Sequence, residues 1–145
     1  MNIALPIGFY AHLVADCPDA VIYADATGII RYWNAAATRI FGFVAAEAIG
    51  ARLDLIIPER LRDRHWDGYN KVMSGAQSRY GEGALLRVPA LHKDGRQLSI
   101  EFTILPLRDH EDRPQGIAAF LRDVTRQFEE VRALRRELAA EKAKH

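Results

Sequence analysis

The sequence predicts an α+β fold, in which short helices cover one face of a five-stranded antiparallel sheet and a longer helix follows at the C-terminus. The order of the elements leads to this prediction. Two short strand-like segments come first, then several short helical segments, then three longer segments rich in β-branched and aromatic residues. The turns Ala26-Thr27-Gly28 and Lys93-Asp94-Gly95 are short enough to join antiparallel strands. Helices on one face of such a sheet define the α+β class.

Residues that end or cap helices indicate the bounds of these elements. Pro18 ends an amphipathic lead-in helix, Asn34 caps the next short helix, and Gly42 ends it. The predicted helices cover about 8–16, 35–42, 45–49 and 57–75, and the predicted strands cover 20–25, 29–33, 79–91, 97–107 and 116–122. We expect three parts: a lead-in helix over residues 1–17, a domain over 18–125 and an amphipathic helix over 126–145.

The predicted helix over 57–75 is the central feature of the chain. Pro58 suits a first helical turn, where its missing N–H costs nothing, and Gly75 suits the C-terminal end. Its apolar face repeats at spacings of four, four and three, through Leu61, His65, Tyr69 and Val72. An imidazole therefore points toward the core or toward a ligand.

Composition limits the possible functions. A chain of 145 residues fits one domain with its own core. The net charge of +1 gives no reason to expect nucleic acid or a membrane surface as partner, and no apolar run approaches the roughly 20 residues of a membrane span. The single cysteine, Cys17, excludes an internal disulfide and fits a reducing compartment, so we expect a cytoplasmic protein. No nucleophile–base pair, phosphate loop or carboxylate pair is recognisable, and we do not expect an enzyme.

Four segments in order resemble the PAS family of sensor domains. DATGIIRYWNAAATRIFGF is similar to the family's D-x-x-G-x-I-x-x-x-N-x-A hairpin, AAEAIG to its acidic-residue-then-glycine step, LHKDGRQLSIEFTI to its K-D-G hairpin, and LRDVT to its exit. The resemblance covers about Cys17 to Thr125. It implies a sensory or interaction module with a cavity between the sheet and the middle helices.

Within this family, the P-x6-H spacing from Pro58 to His65 is similar to that of the heme-containing oxygen sensors. Their histidine on this helix is the proximal iron ligand, so the resemblance implies heme b bound through His65 and a diatomic gas or redox signal. An apolar lining suits a porphyrin because its burial is worth about 25 cal/mol per Å². The expected lining is Ile56, Leu61, Tyr69, Val72, Leu85, Leu86, Ile100, Phe102 and Leu121. Gly68 is expected to leave room for the flat ring, and Arg64 or Arg79 to pair with the propionates.

Two departures from the heme sensors keep a second interpretation open. Tyr69 follows His65 by four residues, whereas the heme sensors tend to have it at three. The position of their oxygen-binding arginine falls on Leu85 or Leu86, and bound oxygen would then lose a charge-assisted hydrogen bond. Such an apolar distal side favours CO, NO or a redox role. The alternative is a PAS interaction or dimerisation module that binds no heme, or that binds another small ligand.

Flavin photochemistry is a poor match to the sequence. The light-sensing subfamily needs a reactive cysteine on the middle helices, whereas Cys17 precedes the first strand. We expect Cys17 to be a small buried hydrophobic residue.

The C-terminal segment carries a short coiled-coil pattern. Val124, Val131 and Leu138 repeat at seven residues, with Leu134 between them, which makes about two heptads. This stripe favours a homodimer, and the alternative is a solvated helix with Phe128 packed on its own domain. In the PAS family such a helix carries the signal onward, so we expect signalling through dimer contacts or a separate partner.

Overall fold

The computed structural model describes residues 4–75 and 84–145. Its helices are α1 (Phe9–Ala15), α2 (Ala35–Phe41), α3 (Ala45–Ala48), α4 (Arg62–Met73) and α5 (Thr125–Ala143), with 3₁₀ turns at Leu53–Ile56 and Glu59–Leu61. Its strands are β1 (Ala20–Asp25), β2 (Ile30–Trp33), β3 (Leu86–Leu91), β4 (Gln97–Arg108) and β5 (Pro114–Asp123).

The five strands form one antiparallel sheet in the order β2-β1-β5-β4-β3, which confirms the predicted fold class. β1 therefore lies beside the last strand of the chain. Paired residues in antiparallel strands share a face, so the register defines the side that the helices cover. That face carries Ala20, Ile22 and Ala24 from β1, Leu86, Val88 and Ala90 from β3, Leu98, Ile100, Phe102 and Ile104 from β4, and Ile117, Ala119 and Leu121 from β5.

Asn34 caps α2, as its position in the sequence predicts. Its side-chain oxygen accepts hydrogen bonds from the backbone N–H groups of Ala37 and Val21. Its amide donates to the carbonyls of Val14 and Asp19. Since Asn34 is only 4% exposed, these partners satisfy a polar side chain inside the core and tie α1 and β1 to α2.

Asp25 closes the hairpin between β1 and β2. Its carboxylate accepts hydrogen bonds from the backbone of Thr27 and Ile29 and from the Arg31 guanidinium. Burial opposes ionisation, but the hydrogen bonds from Thr27, Arg31 and Ile29 outweigh it and lower the pKa of Asp25 to about 2. The turn is therefore held by a charged group at neutral pH.

The helix predicted over 57–75 is shorter and begins with a 3₁₀ turn. Pro58 lies before that turn with ψ at 139°, so the prediction that it occupies the first helical turn is wrong. The guanidinium of Arg62 donates to the carbonyls of Ile57 and Asp54, which holds this entry in a non-helical conformation. Gly75 follows the helix with φ at 92°, and it ends α4 as predicted.

β3 begins at Leu86, later than predicted. The first part of the predicted strand, from Arg79, falls among residues that the structure does not describe. Within the described ranges, 4–75 and 84–145, no helix combines the length and the apolar composition that a membrane crossing needs.

Candidate functional site

The inward face of α4 packs on one of two adjoining groups of apolar side chains. The main core cluster includes Ile56, Ile100 and Leu121, with Phe102 packed against it. The second cluster is formed by Ala24, Tyr69 and Ile117, with Leu53, Trp66, Val72, Met73 and Ile104 packed against it. Leu53 contacts both clusters, so they form a continuous apolar floor beneath the helix.

His65 is the polar group on this face. Its Nδ1 atom is buried and has no hydrogen-bond partner among the described residues. Burial lowers the pKa of His65 below its usual value, and the Asp54 carboxylate only partly opposes this effect. The imidazole is therefore neutral near pH 7, which is the form that binds a metal ion.

Two aromatic neighbours hold the His65 ring. Trp66 meets it edge-on at 4.7 Å between ring centroids, and Tyr69 lies one helical turn further at 5.7 Å. Trp66 and Tyr69 also contact each other at 5.4 Å. These three side chains form an aromatic cluster that restricts the rotation of the imidazole.

Trp66 fixes α4 to the β1–β2 hairpin. Its indole N–H donates to the Asp54 carboxylate at 2.7 Å, and the Arg52 guanidinium stacks over the ring at 4.7 Å. Its six-membered ring lies against Gly28, which has φ at 83° and where an added Cβ would clash with the ring. A glycine at position 28 thus permits both the positive φ of the turn and the close approach of the Trp66 ring.

Tyr69 makes a second tie to the hairpin. It is 6% exposed, and its hydroxyl lies 2.5 Å from the carbonyl oxygen of Asp25 and 3.1 Å from that of Ala24. Burial, with the Asp25 carboxylate nearby, raises the pKa of Tyr69 well above its usual value, so the hydroxyl stays protonated. Its hydrogen-bonding capacity is directed at the backbone, while the ring lies beside His65.

The predicted lining residues fall mostly on this side of the sheet. Leu86, Phe102 and Leu121 are opposite one another across three strands. Ile100 and Leu121 are each 4% exposed, while Leu86, Phe102 and Val72 are half-buried. Leu85 precedes β3 and is 58% exposed, so its placement in the lining is wrong. Because side chains alternate along a strand, Leu86 is the residue that faces the core.

Three other expectations need correction or lie outside the described ranges. Cys17 is half-buried rather than buried. Gly68 is exposed, and a Cβ added there would meet no atom within 4 Å, so the structure does not require a glycine at this position. Arg64 is exposed, and Arg79 falls outside the described residues.

The predicted lining leaves out several residues of the site. Trp66, which the sequence offers only as a residue that could flank a pocket or an interface, directly follows His65 and is half-buried on the same side of α4. A wider helical stripe would have included it. Leu53 and Ile104 also belong to the apolar floor beneath α4. Ile104 lies two residues after Phe102, so it follows the same alternation along β4. The roles of Asp54 and Gly28 depend on contacts between distant segments, and no local pattern indicates them. In the part of the chain that the structure describes, no group of three or more His, Cys, Asp or Glu residues is placed to hold a metal ion.

A family model described as the PAS fold matches residues 14–129. The chain belongs to this family. This confirms the resemblance drawn from the sequence motifs, and the domain is a sensory PAS domain.

Two relatives match this PAS domain over most of its length. A protein of Azorhizobium caulinodans is 34% identical over 122 residues, which are 81% of this chain and 16% of the relative. The sensor protein FixL of Bradyrhizobium diazoefficiens is 30% identical over 124 residues, which are 86% of this chain and 24% of that protein. The chain thus corresponds to less than a quarter of the length of either relative.

Solved structures share the fold. The PAS domain of a Colwellia psychrerythraea protein superposes with a TM-score of 0.70 at 20% identity, covering 83% of this chain and 98% of that one. An RNA-binding Light-Oxygen-Voltage receptor superposes with a TM-score of 0.72 at 21% identity, covering 96% of this chain and 39% of that one.

Proposed function

We propose that this sensory PAS domain binds heme b with His65 as the protein's iron ligand, and that it responds to a diatomic gas or to redox state. The observation that supports this proposal is the buried, unpartnered Nδ1 atom of His65 on the inward face of α4. Leaving a buried polar atom without a partner costs about 1–3 kcal/mol. A packed histidine with no other role gains nothing in return for this cost.

The surroundings of His65 suit an iron ligand. Trp66 and Tyr69 hold the ring, and burial keeps it neutral, so its lone pair is available without loss of a proton. Leu86, Phe102 and Leu121 supply apolar surface on the sheet side. When bound, heme would supply an iron centre for a gas ligand or a one-electron redox change. The likeness to a relative named as a sensor protein agrees with this proposal.

Reconstitution with hemin tests the proposal. We expect the purified chain to take up one hemin per chain with a Soret band of an imidazole-ligated heme. His65→Ala should lose this stoichiometric uptake while keeping its far-UV circular dichroism spectrum. His12→Ala is the matched control, because the His12 side chain is 79% exposed and pairs with Asp16 on its own helix turn. A wild-type chain that takes up no hemin would contradict the proposal, and unchanged uptake by His65→Ala would reject the ligand assignment.

A second candidate function is that of an interaction module, in which two copies of this chain or a separate signalling partner associate through α5. The exposed apolar stripe on that helix favours it: Val131 is 44% exposed, Leu134 62% and Leu138 56%. The two functions are compatible in one sensor. The heme-free form of this candidate predicts no Soret band but a concentration-dependent molar mass in light scattering.

A further inference from the structure

The Tyr69 hydroxyl occupies an unusual position between two acceptors. A phenol has a single proton to donate, and here it faces the carbonyl oxygens of two consecutive residues, Asp25 at 2.5 Å and Ala24 at 3.1 Å. It can donate fully to only one of them at a time. The hydroxyl therefore has two alternative hydrogen bonds a short distance apart.

The strand that receives this hydroxyl is irregular at the same point. The pairing of β1 with β2 shifts register between Tyr23 and Ala24, as in a β-bulge. A bulge locally interrupts the ladder and re-aims the backbone. The position of the Ala24 carbonyl is therefore set less by strand pairing and more by its contacts.

One of those contacts is with β5. Ala24 pairs with Ile117, and Asp25 pairs with Gly116. A Cβ added to Gly116 would lie 2.3 Å from the Ala24 carbonyl oxygen, so the backbone of β5 approaches this atom closely. One of the two oxygens that the Tyr69 hydroxyl contacts, that of Ala24, is thus packed against Gly116, so a shift of this carbonyl requires β5 to adjust.

β5 leads directly into α5. The Asp123 carboxylate at its end accepts a hydrogen bond from the backbone N–H of Thr125 at 2.9 Å. The Thr125 hydroxyl in turn accepts from the backbone N–H of Ser99 at 3.0 Å. The first turn of α5 is therefore attached to both β5 and β4.

We propose that the Tyr69 hydroxyl is a positioning group that couples the His65 site to β5 and α5. A change at His65 moves the adjacent Tyr69 ring, which shifts the hydroxyl between the carbonyls of Asp25 and Ala24. The shift moves Gly116, and β5 carries it to the start of α5. In its ligand-dependent part this proposal rests on the proposed heme function.

Hydrogen exchange measured by mass spectrometry tests the coupling without any ligand. Tyr69→Phe keeps the ring beside His65 and removes only the hydroxyl, and the Asp25 carbonyl keeps the N–H of Gly28 as a donor. We expect the amides of residues 115–118 and of the first turn of α5 to exchange about three- to tenfold faster, which is the effect of losing one hydrogen bond. Changes confined to α4 and the β1–β2 hairpin would overturn the proposal.

Tyr23→Phe is the matched control. The Tyr23 hydroxyl also donates to a β5 carbonyl, that of Gln115 at 3.3 Å, and it lies beside Gly116, where an added Cβ would be 2.6 Å from it. It differs from Tyr69 in lying on the other face of the sheet from α4. We expect its removal to leave the exchange of α5 unchanged. Equal effects of the two variants on α5 would mean that any lost tyrosine contact loosens the sheet, and would overturn the specific role of Tyr69.

The ligand-dependent arm uses hemin, and then CO after reduction. In wild type we expect bound hemin to change the exchange of β5 and α5. In Tyr69→Phe, compared at hemin concentrations that saturate each protein, we expect that change to disappear. Persistence of the full change in Tyr69→Phe would overturn the coupling. Failure of wild type to bind hemin would instead reject the proposed function, and the ligand-free exchange would still decide the role of Tyr69.

Discussion

His65 differs from an ordinary packed histidine in the surroundings of one atom. Packing accounts for its position on the inward face of α4, because Trp66 and Tyr69 contact the ring. Packing does not account for a buried Nδ1 without a partner. A side chain that served only to fill space there would be more stable as leucine or methionine.

The half-buried imidazole of His65 makes the stability of the chain depend on pH in a defined direction. Since the pKa of His65 is lowered in the folded chain, the unfolded chain binds this proton more readily as the pH falls below about 6.5. The free energy of unfolding should therefore decrease as the pH is lowered from there. Urea unfolding of wild type and of His65→Leu at several pH values measures the effect. The decrease should be smaller in the variant, and equal pH dependence would show that His65 titrates normally.

The glycines of the helical region give two substitutions of opposite sign. Gly68→Ala lies in an exposed helical position with open space around it, so it should raise the free energy of unfolding by about 0.5–1 kcal/mol. Gly42→Ala should lower it, because φ is 85° and the new Cβ would lie 2.6 Å from the His92 ring. Urea unfolding of both variants measures these signs. A Gly68→Ala chain that gains stability but binds hemin at least tenfold more weakly would instead support the idea that Gly68 leaves room for a ligand.

At the scale of elements, the register of β3 decides which leucine faces the core. Leu86 pairs with Phe102 on the covered face, whereas Leu85 is exposed before the strand begins. The sequence alone left these two positions equivalent.

This register gives a matched pair of arginine substitutions. If heme binds as proposed, the reduced wild-type chain should bind CO readily and oxidise quickly in air, because no charged donor stands at Leu86 to hold bound oxygen. Leu86→Arg should slow this oxidation, and Leu85→Arg should leave it unchanged. Absorption spectra recorded in air give both rates. An oxygen complex of the wild-type chain that lasts for hours would mean that another donor is present.

The exposed stripe on α5 gives a second prediction at this scale. Val131→Asp with Leu138→Asp would place charges where two copies meet, and a dimer that buries about 1,200 Å² or more should weaken or dissociate. Ala133→Asp with Ala140→Asp adds the same charge on another face of the helix and should leave the dimer intact. Light scattering measures the molar mass. A wild-type chain that stays monomeric at high micromolar concentration would contradict the prediction, and a dimer that survives the double substitution would move the interface to the sheet face with Leu105 and Phe120.

At the scale of the whole molecule, local sequence patterns predict the helices and strands. Contacts between distant segments determine the features that those patterns do not predict. Asn34 and Gly75 have the cap roles that their sequence positions predict. The 3₁₀ entry to α4 depends on Arg62, whose side chain reaches back to Asp54 and Ile57. For the site, His65 and the apolar floor follow from periodicity. The ties from Tyr69 to Asp25 and from Trp66 to Gly28 join residues about 40 positions apart, which no pattern in a short window contains.

The strand order has a consequence for the folding of the chain during its translation on the ribosome. β1 becomes an interior strand of the sheet only when β5 is beside it, and their first pair joins Ala20 to Leu121. The β1–β2, β3–β4 and β4–β5 hairpins form from neighbouring segments, but the pairing of β1 with β5 must wait for nearly the whole domain to leave the exit tunnel. Closing so long a loop is slow, because its entropic cost precedes the contacts that reward it. The sheet is therefore completed only after α5 has been translated, so the apolar face around His65 forms at nearly the same time as α5 emerges.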